Sequence, residues 1–214
     1  MLDARSHQVA AARAAVIGGE LRGAALVAAI RAVPPAAREA WVDAVLGIAA
    51  APPDQADLPT GAVPYLPCPV DEVLAALAAA PVAAADRFVD VGAGLGRVVV
   101  LAHLVTGARA HGVELQGQLG ARARATIAAL GLDPAVVDVV DGDAATADLD
   151  GSVAFLYAPC NGALLRRVLA RLALVARRRA LTVCAVDCVL PELPWLTPRA
   201  PSTLALTVYD AAVP

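Results

Sequence analysis

The sequence predicts an α/β protein built on a doubly wound, mainly parallel sheet with an N-terminal helical extension. From Arg87 onward, short runs rich in β-branched residues alternate with helix-length amphipathic runs. This alternation is typical of parallel strands joined by crossover helices on both faces of a sheet. Before Arg87 the chain is alanine-rich, and its apolar residues recur with helical spacing.

The segments of the predicted sheet follow one another at short intervals. The predicted strands are Phe88–Val91, Arg109–Glu114, Val136–Val140, Val153–Tyr157 and Ala180–Val186, and the helices between them are Leu95–Val105, Gln118–Leu130 and Asn161–Val175. A proline-rich stretch, Leu190–Pro201, leads to a last strand at Thr203–Tyr209. The alternation of that strand is typical of an antiparallel strand at the edge of the sheet.

The sequence before the predicted sheet indicates three helices and a loop. The helices are expected at about Asp3–Ile17, Glu20–Val33 and Pro35–Ala50, and a proline-rich loop, Pro52–Pro69, precedes a short helix. We therefore predict two parts. Residues 1–66 form a helical segment and loop that lids the site or mediates dimerisation, and residues 67–214 form the ligand-binding α/β domain.

Composition limits the class of protein. No apolar run reaches the roughly 20 residues of a membrane span, and no secretory signal is present, so we expect a soluble cytoplasmic protein without membrane contact. The net charge is −3, which makes nucleic acid an unexpected partner. The cysteines Cys68, Cys160, Cys184 and Cys188 lack metal-ligand spacing, so no metal is expected. The absence of lysine suggests that the protein comes from a bacterium whose genome is rich in G and C.

A glycine loop joins the first predicted strand to the following helix. It runs Asp90-Val91-Gly92-Ala93-Gly94-Leu95-Gly96-Arg97. Glycines allow a ligand to lie against the backbone, and the helix start offers unpaired amides. The G-x-G-x-G spacing differs from the G-x-G-x-x-G of dinucleotide sites, yet its place between strand and helix favours a nucleotide-like ligand.

Two further acidic positions follow the next two strands. Glu114, with Leu115 beside it, ends the second strand about 20 residues beyond the glycines, where this fold places a ribose. Gly142-Asp143-Ala144 follows the third strand, and Asp143 can accept a hydrogen bond from an adenine amino group. Taken alone, the Gly142-Asp143-Ala144 segment would be interpreted as an ordinary turn. As the third member of an ordered set, it predicts a nucleoside site.

These three segments together resemble the class I S-adenosylmethionine (SAM)-dependent methyltransferases. The segment Asp90–Gly96 is similar to the family's first motif, Glu114 to its ribose-binding acid, and Gly142–Ala144 to its adenine-binding turn. The resemblance implies a seven-stranded sheet with a reversed last strand, and SAM as cofactor with its methionine part near Asp90. The glycine-loop region also resembles Dot1-type methyltransferases, although Tyr157-Ala158-Pro159-Cys160-Asn161 departs from their fourth-strand motif.

The resemblance implies cofactor residues more clearly than catalytic ones, because methyl transfer from a sulfonium depends mainly on alignment. The catalytic residues are not predicted. Tyr65 is expected to line the site or to be a surface-loop aromatic. Tyr157 is expected to edge the cofactor or substrate pocket or to pack structurally, and Arg97 to pair with the SAM carboxylate or face solvent. Cys160 and Asn161 are the substrate-side candidates, with buried packing and helix N-capping as the alternatives.

Three functions remain open at this point. The first is a methyltransferase acting on a small-molecule or protein acceptor, with a homodimer as one of the oligomeric states left open. The second is a non-catalytic SAM- or nucleotide-binding scaffold or partner subunit. The third, a nicotinamide-dependent oxidoreductase, is disfavoured by the glycine spacing and by Asp143.

Overall fold

The computed structural model describes residues 2–203 and 205–212, and a seven-stranded sheet forms its centre. The strands are β1 (Arg87–Val91), β2 (Arg109–Glu114), β3 (Val137–Asp141), β4 (Val153–Tyr157), β5 (Leu181–Val186), β6 (Leu196–Pro198) and β7 (Leu206–Ala211). Their order across the sheet is β3-β2-β1-β4-β5-β7-β6. The first five strands are parallel, and β7 runs antiparallel to both of its neighbours. The predicted fold class is confirmed.

Seven helices accompany the sheet in the described part of the chain. They are α1 (Leu2–Ile17), α2 (Gly23–Ala32), α3 (Pro35–Leu46), α4 (Val70–Ala79), α5 (Arg97–Thr106), α6 (Gly117–Ala129) and α7 (Gly162–Ala176). Glycines in the left-handed region follow α3, α5 and α6, where a positive φ ends a helix without strain. None of these helices is long and apolar enough to cross a bilayer.

The two faces of the sheet bury separate apolar layers, because successive side chains of a strand point to opposite faces. Phe88 and Phe155 lie on the face covered by α4, α5 and α6. Val89, Leu156 and Val183 lie on the other face, where the apolar stripe of α7 covers them.

The N-terminal helices pack on the sheet domain through the first of these layers. Helix α1 contacts α3, and α2 contacts α5. Val16, Leu26 and Ile30 are buried in the same apolar cluster as Phe88. The extension and the sheet therefore share one continuous core.

The end of the chain differs from the sequence prediction in one respect. The last strand was expected at Thr203–Tyr209 on the sheet edge, but β7 lies between β5 and β6, and Leu204 is outside the described residues. The edge strand is β6, within the proline-rich stretch Leu190–Pro201, for which no strand was predicted. A three-residue strand is too short to show alternation, and Pro198 is tolerated there because an edge strand need not donate every amide.

Candidate functional site

The glycine loop bends back over the end of β2. The amides of Gly92 and Ala93 both donate to the Val113 carbonyl, at 2.9 and 3.1 Å. Gly92, Gly94 and Gly96 all have positive φ, of 85°, 53° and 80°, and Gly96 caps the N-terminus of α5. The loop therefore presents its backbone at the carboxyl end of the sheet, where ligands bind in such folds.

Glu114 ties the glycine loop to the segment that follows β2. Its Oε2 accepts from the Gly94 amide at 2.6 Å, and its Oε1 accepts from the Gln116 amide at 2.8 Å. Burial raises the pKa of this carboxyl group, while the amides of Gln116, Gly94 and Leu115 act in the opposite direction. Each carboxylate oxygen has a second lone pair, so both can still accept a hydroxyl of a ligand.

Asp90 is the least satisfied acid of the site. Its side chain is 2% exposed, and its Oδ2 has no hydrogen-bond partner. Burial, and secondarily the charge of Glu114, raises the pKa of Asp90 to about 8. An unpaired buried carboxylate is costly, so this position is suited to a cationic group of a ligand.

The third segment lies beside Glu114, as the strand order requires. The Gly142 amide donates to the Glu114 carbonyl at 2.8 Å. Asp143 accepts from the Ala145 amide at 2.8 Å and from Arg167 at 3.1 Å, so its carboxylate also shapes its own turn. A small cavity, of about 40 Å³, lies against Gly142, Asp143 and Ala144.

Residues 57–66 close over the cleft between these segments. A second cavity, of about 70 Å³, lies beneath Tyr65 and is lined by Gly92, Glu114, Leu115 and Tyr157 among others. Pockets that hold small molecules usually measure roughly 300 Å³ or more. The covering segment must therefore shift before a nucleoside-sized ligand can enter.

Tyr65 lies directly on the glycine loop. A Cβ on Gly94 would come within 2.8 Å of Tyr65 Cδ2, which shows how closely the ring covers that backbone. Burial raises the pKa of Tyr65 to about 12, with the charges of Asp43, Glu114 and Asp90 contributing. The ring occupies the surface against which the resemblance places the methionine part of SAM.

Gln116 and Asp54, which sequence reasoning missed, hold this covering segment in place. Gln116 Nε2 donates to Asp54 Oδ1 at 2.7 Å, and the Tyr65 amide donates to the same oxygen at 2.9 Å. The Gln55 amide donates to Gln116 Oε1 at 2.8 Å. The available signal was the position of Gln116, a polar residue two places after the strand-end Glu114.

Arg97 lies elsewhere than expected. Its guanidinium group was predicted to pair with the SAM carboxylate or to face solvent, but it is buried against the N-terminal helices. It donates to both carboxylate oxygens of Asp43, to Glu39 Oε2 at 2.7 Å and to the Cys68 carbonyl at 2.8 Å. These contacts hold it toward α3, so Arg97 links the extension to α5.

The segment after β4 borders the cleft. Tyr157 is half-buried, and burial raises its pKa, as do the nearby Cys68 and the acids Asp187 and Glu72. Cys160 is buried, and burial raises the pKa of its thiol to about 11. Asn161 is exposed at the N-cap position of α7, but its side chain makes no capping hydrogen bond. Neither the tyrosine nor the cysteine is therefore ionised near neutral pH.

Comparisons with known proteins agree with this geometry. No protein-family profile and no curated protein sequence matches the chain. An RNA methyltransferase from Salinibacter ruber, solved with S-adenosyl-L-homocysteine, is 25% identical, with a TM-score of 0.57 over 70% of this chain and 94% of that chain. The Escherichia coli protein yhhF, assigned provisionally as a methyltransferase, is 19% identical, with a TM-score of 0.56 over 72% and 92%.

A third structure gives the same result. The Haemophilus influenzae protein HI0767, assigned provisionally as a methylase, is 15% identical, with a TM-score of 0.53 over 71% of this chain and 92% of that chain. The fold of this chain is that of the class I SAM-dependent methyltransferases.

Proposed function

We propose that this protein binds SAM and transfers its methyl group to a small-molecule or protein acceptor. One observation carries the proposal: Asp90, Glu114 and Asp143 lie at the carboxyl ends of three adjacent strands, around a backbone loop of glycines. The Salinibacter ruber neighbour, crystallised with the demethylated cofactor, gives independent support.

The residues present fit the cofactor. The unpaired Asp90 Oδ2 suits the ammonium group of its methionine part, and Glu114 retains acceptor capacity for the ribose hydroxyls. Asp143 suits the adenine amino group, and Gly142, Ala144 and Leu115 line the same small cavity, where they would hold the ring. Gly92, Ala93, Gly94 and Gly96 supply the backbone surface, and Tyr65 and Tyr157 the walls of the pocket.

The chain contributes alignment and exclusion of water rather than a strong base. SAM itself supplies an activated methyl group on a sulfonium. Tyr157 and Cys160 hold their protons near neutral pH because burial raises the pKa of each. These two side chains are therefore suited to donating hydrogen bonds to the molecule that receives the methyl group. Asn161 is suited to a polar contact with that molecule at the rim of the cleft. Residues 57–66 exclude water when they cover the cleft.

We propose two further features of this protein. Residues 1–66 act as a cover for the domain formed by residues 67–214, supported by the contacts of Tyr65 and Gln116; dimerisation through them stays a prediction. Four free thiols and the bacterial neighbours support a cytoplasmic bacterial protein. The likeness to Dot1-type enzymes stays a prediction.

The test is calorimetric titration with S-adenosylhomocysteine and, separately, NADH. The intact protein is expected to bind S-adenosylhomocysteine with a micromolar Kd, and Glu114→Gln to bind at least tenfold more weakly, since charge-assisted hydrogen bonds contribute about 1.5–3 kcal/mol. Glu20→Gln, at an exposed position, is the matched control. Binding of NADH alone, or of neither ligand, would overturn the proposal.

Turnover separates the enzyme from a non-catalytic binding subunit. The protein is incubated with SAM and a bacterial extract, and S-adenosylhomocysteine is quantified against Asp90→Asn. Production that depends on Asp90 supports an enzyme. If the protein binds S-adenosylhomocysteine tightly but produces none from SAM in any extract, the non-catalytic scaffold is favoured.

A further inference from the structure

A groove runs along the outer side of α7, away from the cleft. It has a volume of about 630 Å³ and lies between α7 and the segment 191–195. Its floor and walls are mainly apolar: Leu169, Ala170, Ala173, Leu174, Leu193 and Trp195. Leu174 is 42% exposed, so its side chain adds to the open apolar surface of the groove.

The groove exists because one face of the sheet has little helical cover. On the α7 face, α7 is the one helix among residues 2–203 and 205–212. The connection from β5 to β6, residues 187–195, contains no helix and crosses this face as an irregular segment. Sheets of this type are ordinarily covered by helices on both faces. The apolar surface next to α7 is thus left partly open.

The α7 wall has the spacing of a helix-docking surface. Arg166, Leu169, Ala170, Ala173, Leu174 and Arg177 recur at intervals of three, four, seven, eight and eleven residues, which places them on one face over about three turns. The two alanines lie at the middle of the stripe. Their short side chains permit a second helix to approach to the usual interaxial distance of roughly 8–10 Å.

The charges at the two ends of the stripe have the same sign. Within the described residues, no ion pair involves Arg166 or Arg177, whereas Arg167 pairs with Asp143 and Arg179 with Asp150. The segment 191–195 carries one acid, Glu192, which lines a neighbouring groove. A second copy packed antiparallel on the stripe would set Arg166 against Arg177. Self-association through this surface is therefore disfavoured, and a partner with acidic ends is favoured.

We propose that this groove docks an amphipathic helix of a separate protein, about three turns long, with an apolar stripe and acidic side chains at both ends. Leucine-sized side chains of that helix would fill the space over Ala170 and Ala173. Its carboxylates would meet Arg166 and Arg177. This is the helix-in-groove mode of recognition, in which an apolar face gives affinity and flanking charges give specificity. The inference does not depend on the proposed methyl transfer.

The probe is a synthetic, fluorescein-labelled helical peptide of about 14 residues, with leucines at i, i+3, i+4 and i+7 and glutamates at both ends. Fluorescence anisotropy is expected to give saturable binding with a Kd below about 100 µM. The same peptide with lysines in place of glutamates is expected to bind at least tenfold more weakly. Equal binding of the two peptides, or no binding of the glutamate peptide, would overturn the proposal.

Two variants test whether the peptide binds in the groove. Ala173→Glu puts a charged side chain in the middle of the stripe and is expected to weaken binding at least tenfold. Arg166→Glu/Arg177→Glu is expected to reverse the preference toward the lysine peptide. Arg31→Glu on α2 is the control, and thermal unfolding verifies that each variant folds. Unchanged binding by a folded groove variant would contradict the proposal.

The fluorescence of Trp195, which lines the groove, reports peptide binding at the groove itself. The chain has two tryptophans, so in Trp41→Phe the emission reports Trp195 alone. The glutamate peptide is expected to shift this emission to shorter wavelength. A dimer of the wild-type protein that dissociates in Ala173→Glu would show instead that a second copy fills the groove, and would overturn the assignment to a separate partner.

Discussion

Arg97 and Asp43 form a two-point ion pair: Arg97 Nε donates to Asp43 Oδ1 at 2.9 Å, and Nη2 donates to Oδ2 at 2.6 Å. The pair connects the first residue of α5 to α3 in the N-terminal extension. The Arg97 side chain is 8% exposed, so the contact is shielded from water on the arginine side. The helix that follows the glycine loop is thereby anchored to the extension.

Replacement of this arginine should cost stability without disturbing cofactor binding. Arg97→Met is expected to lower the free energy of unfolding by about 2–4 kcal/mol, slightly below the cost of breaking a fully buried pair, because Asp43 is partly accessible to water. The measurement is urea unfolding. The affinity for S-adenosylhomocysteine is expected to change by less than about threefold, which corresponds to less than about 0.7 kcal/mol of binding free energy.

The control is the double-mutant cycle with Asp43→Asn. Because the two residues contact each other, the double variant should be less destabilised than the sum of the single variants. A large loss of cofactor affinity in an Arg97→Met protein of normal stability would show that Arg97 reaches the cofactor after all.

Asp90 should make stability depend on pH. In an unfolded chain an aspartate ionises near its ordinary pKa of about 3.9, whereas folded Asp90 keeps its proton until about pH 8. Between these values the folded state binds more protons, so the free energy of unfolding falls as pH rises, and the loss is complete above about pH 8. We therefore compare the free energy of unfolding of Asp90→Asn with that of the wild type at each pH. The value for Asp90→Asn minus the value for the wild type is expected to be larger at pH 8 than at pH 5.

Urea unfolding at both pH values measures this difference. The amide substitution has packing effects of its own, but they are the same at both pH values and cancel in the comparison. Asp57→Asn, at an exposed position, serves as the reference for the amide substitution itself. An equal effect of Asp90→Asn at pH 5 and pH 8 would mean that Asp90 ionises normally in the folded protein.

Tyr65 should control the rates of cofactor entry and release. Its ring lies on Gly94, so Tyr65→Ala opens the path to the glycine loop. The dissociation rate of S-adenosylhomocysteine is expected to rise about tenfold, equivalent to about 1.4 kcal/mol of lost contact, while the association rate does not fall. Stopped-flow measurements with a fluorescent cofactor analogue test both rates.

Tyr65→Phe is the matched variant, because it keeps the ring and removes only the hydroxyl group. Its rates are expected to stay close to those of the wild type. If Tyr65→Ala leaves both rates unchanged, the ring is a surface group with no part in covering the cleft.

The parts of the fold that depend on local sequence were predictable. The strand and helix pattern from Arg87 to Val186 is confirmed, because glycines and apolar periodicity define each element within a short window. The glycine loop also follows from local chemistry, since its three positive φ values fall on glycines.

The features that were missed depend on distant partners. Arg97 pairs with residues 54 and 58 positions earlier in the chain, which no local pattern indicates. Asp54 and Gln116 are 62 positions apart, and their contact follows from where the covering segment lies on the folded sheet. The position of β7 between β5 and β6 likewise depends on which strands pair, and three residues of β6 gave no usable signal.

Asp54, Tyr65, Gly94, Glu114 and Gln116 form one closed set of contacts, and this limits how the protein can change by substitution. Gly94 donates to Glu114, Gln116 donates to both Glu114 and Asp54, Asp54 accepts from Tyr65, and the Tyr65 ring returns to Gly94. The amides of Gly94, Gln116 and Tyr65 belong to the backbone and survive most substitutions, whereas the bond between Gln116 and Asp54 joins two side chains. In relatives of this chain, positions 54 and 116 should therefore vary together, so that a protein with a different residue at 54 also differs at 116.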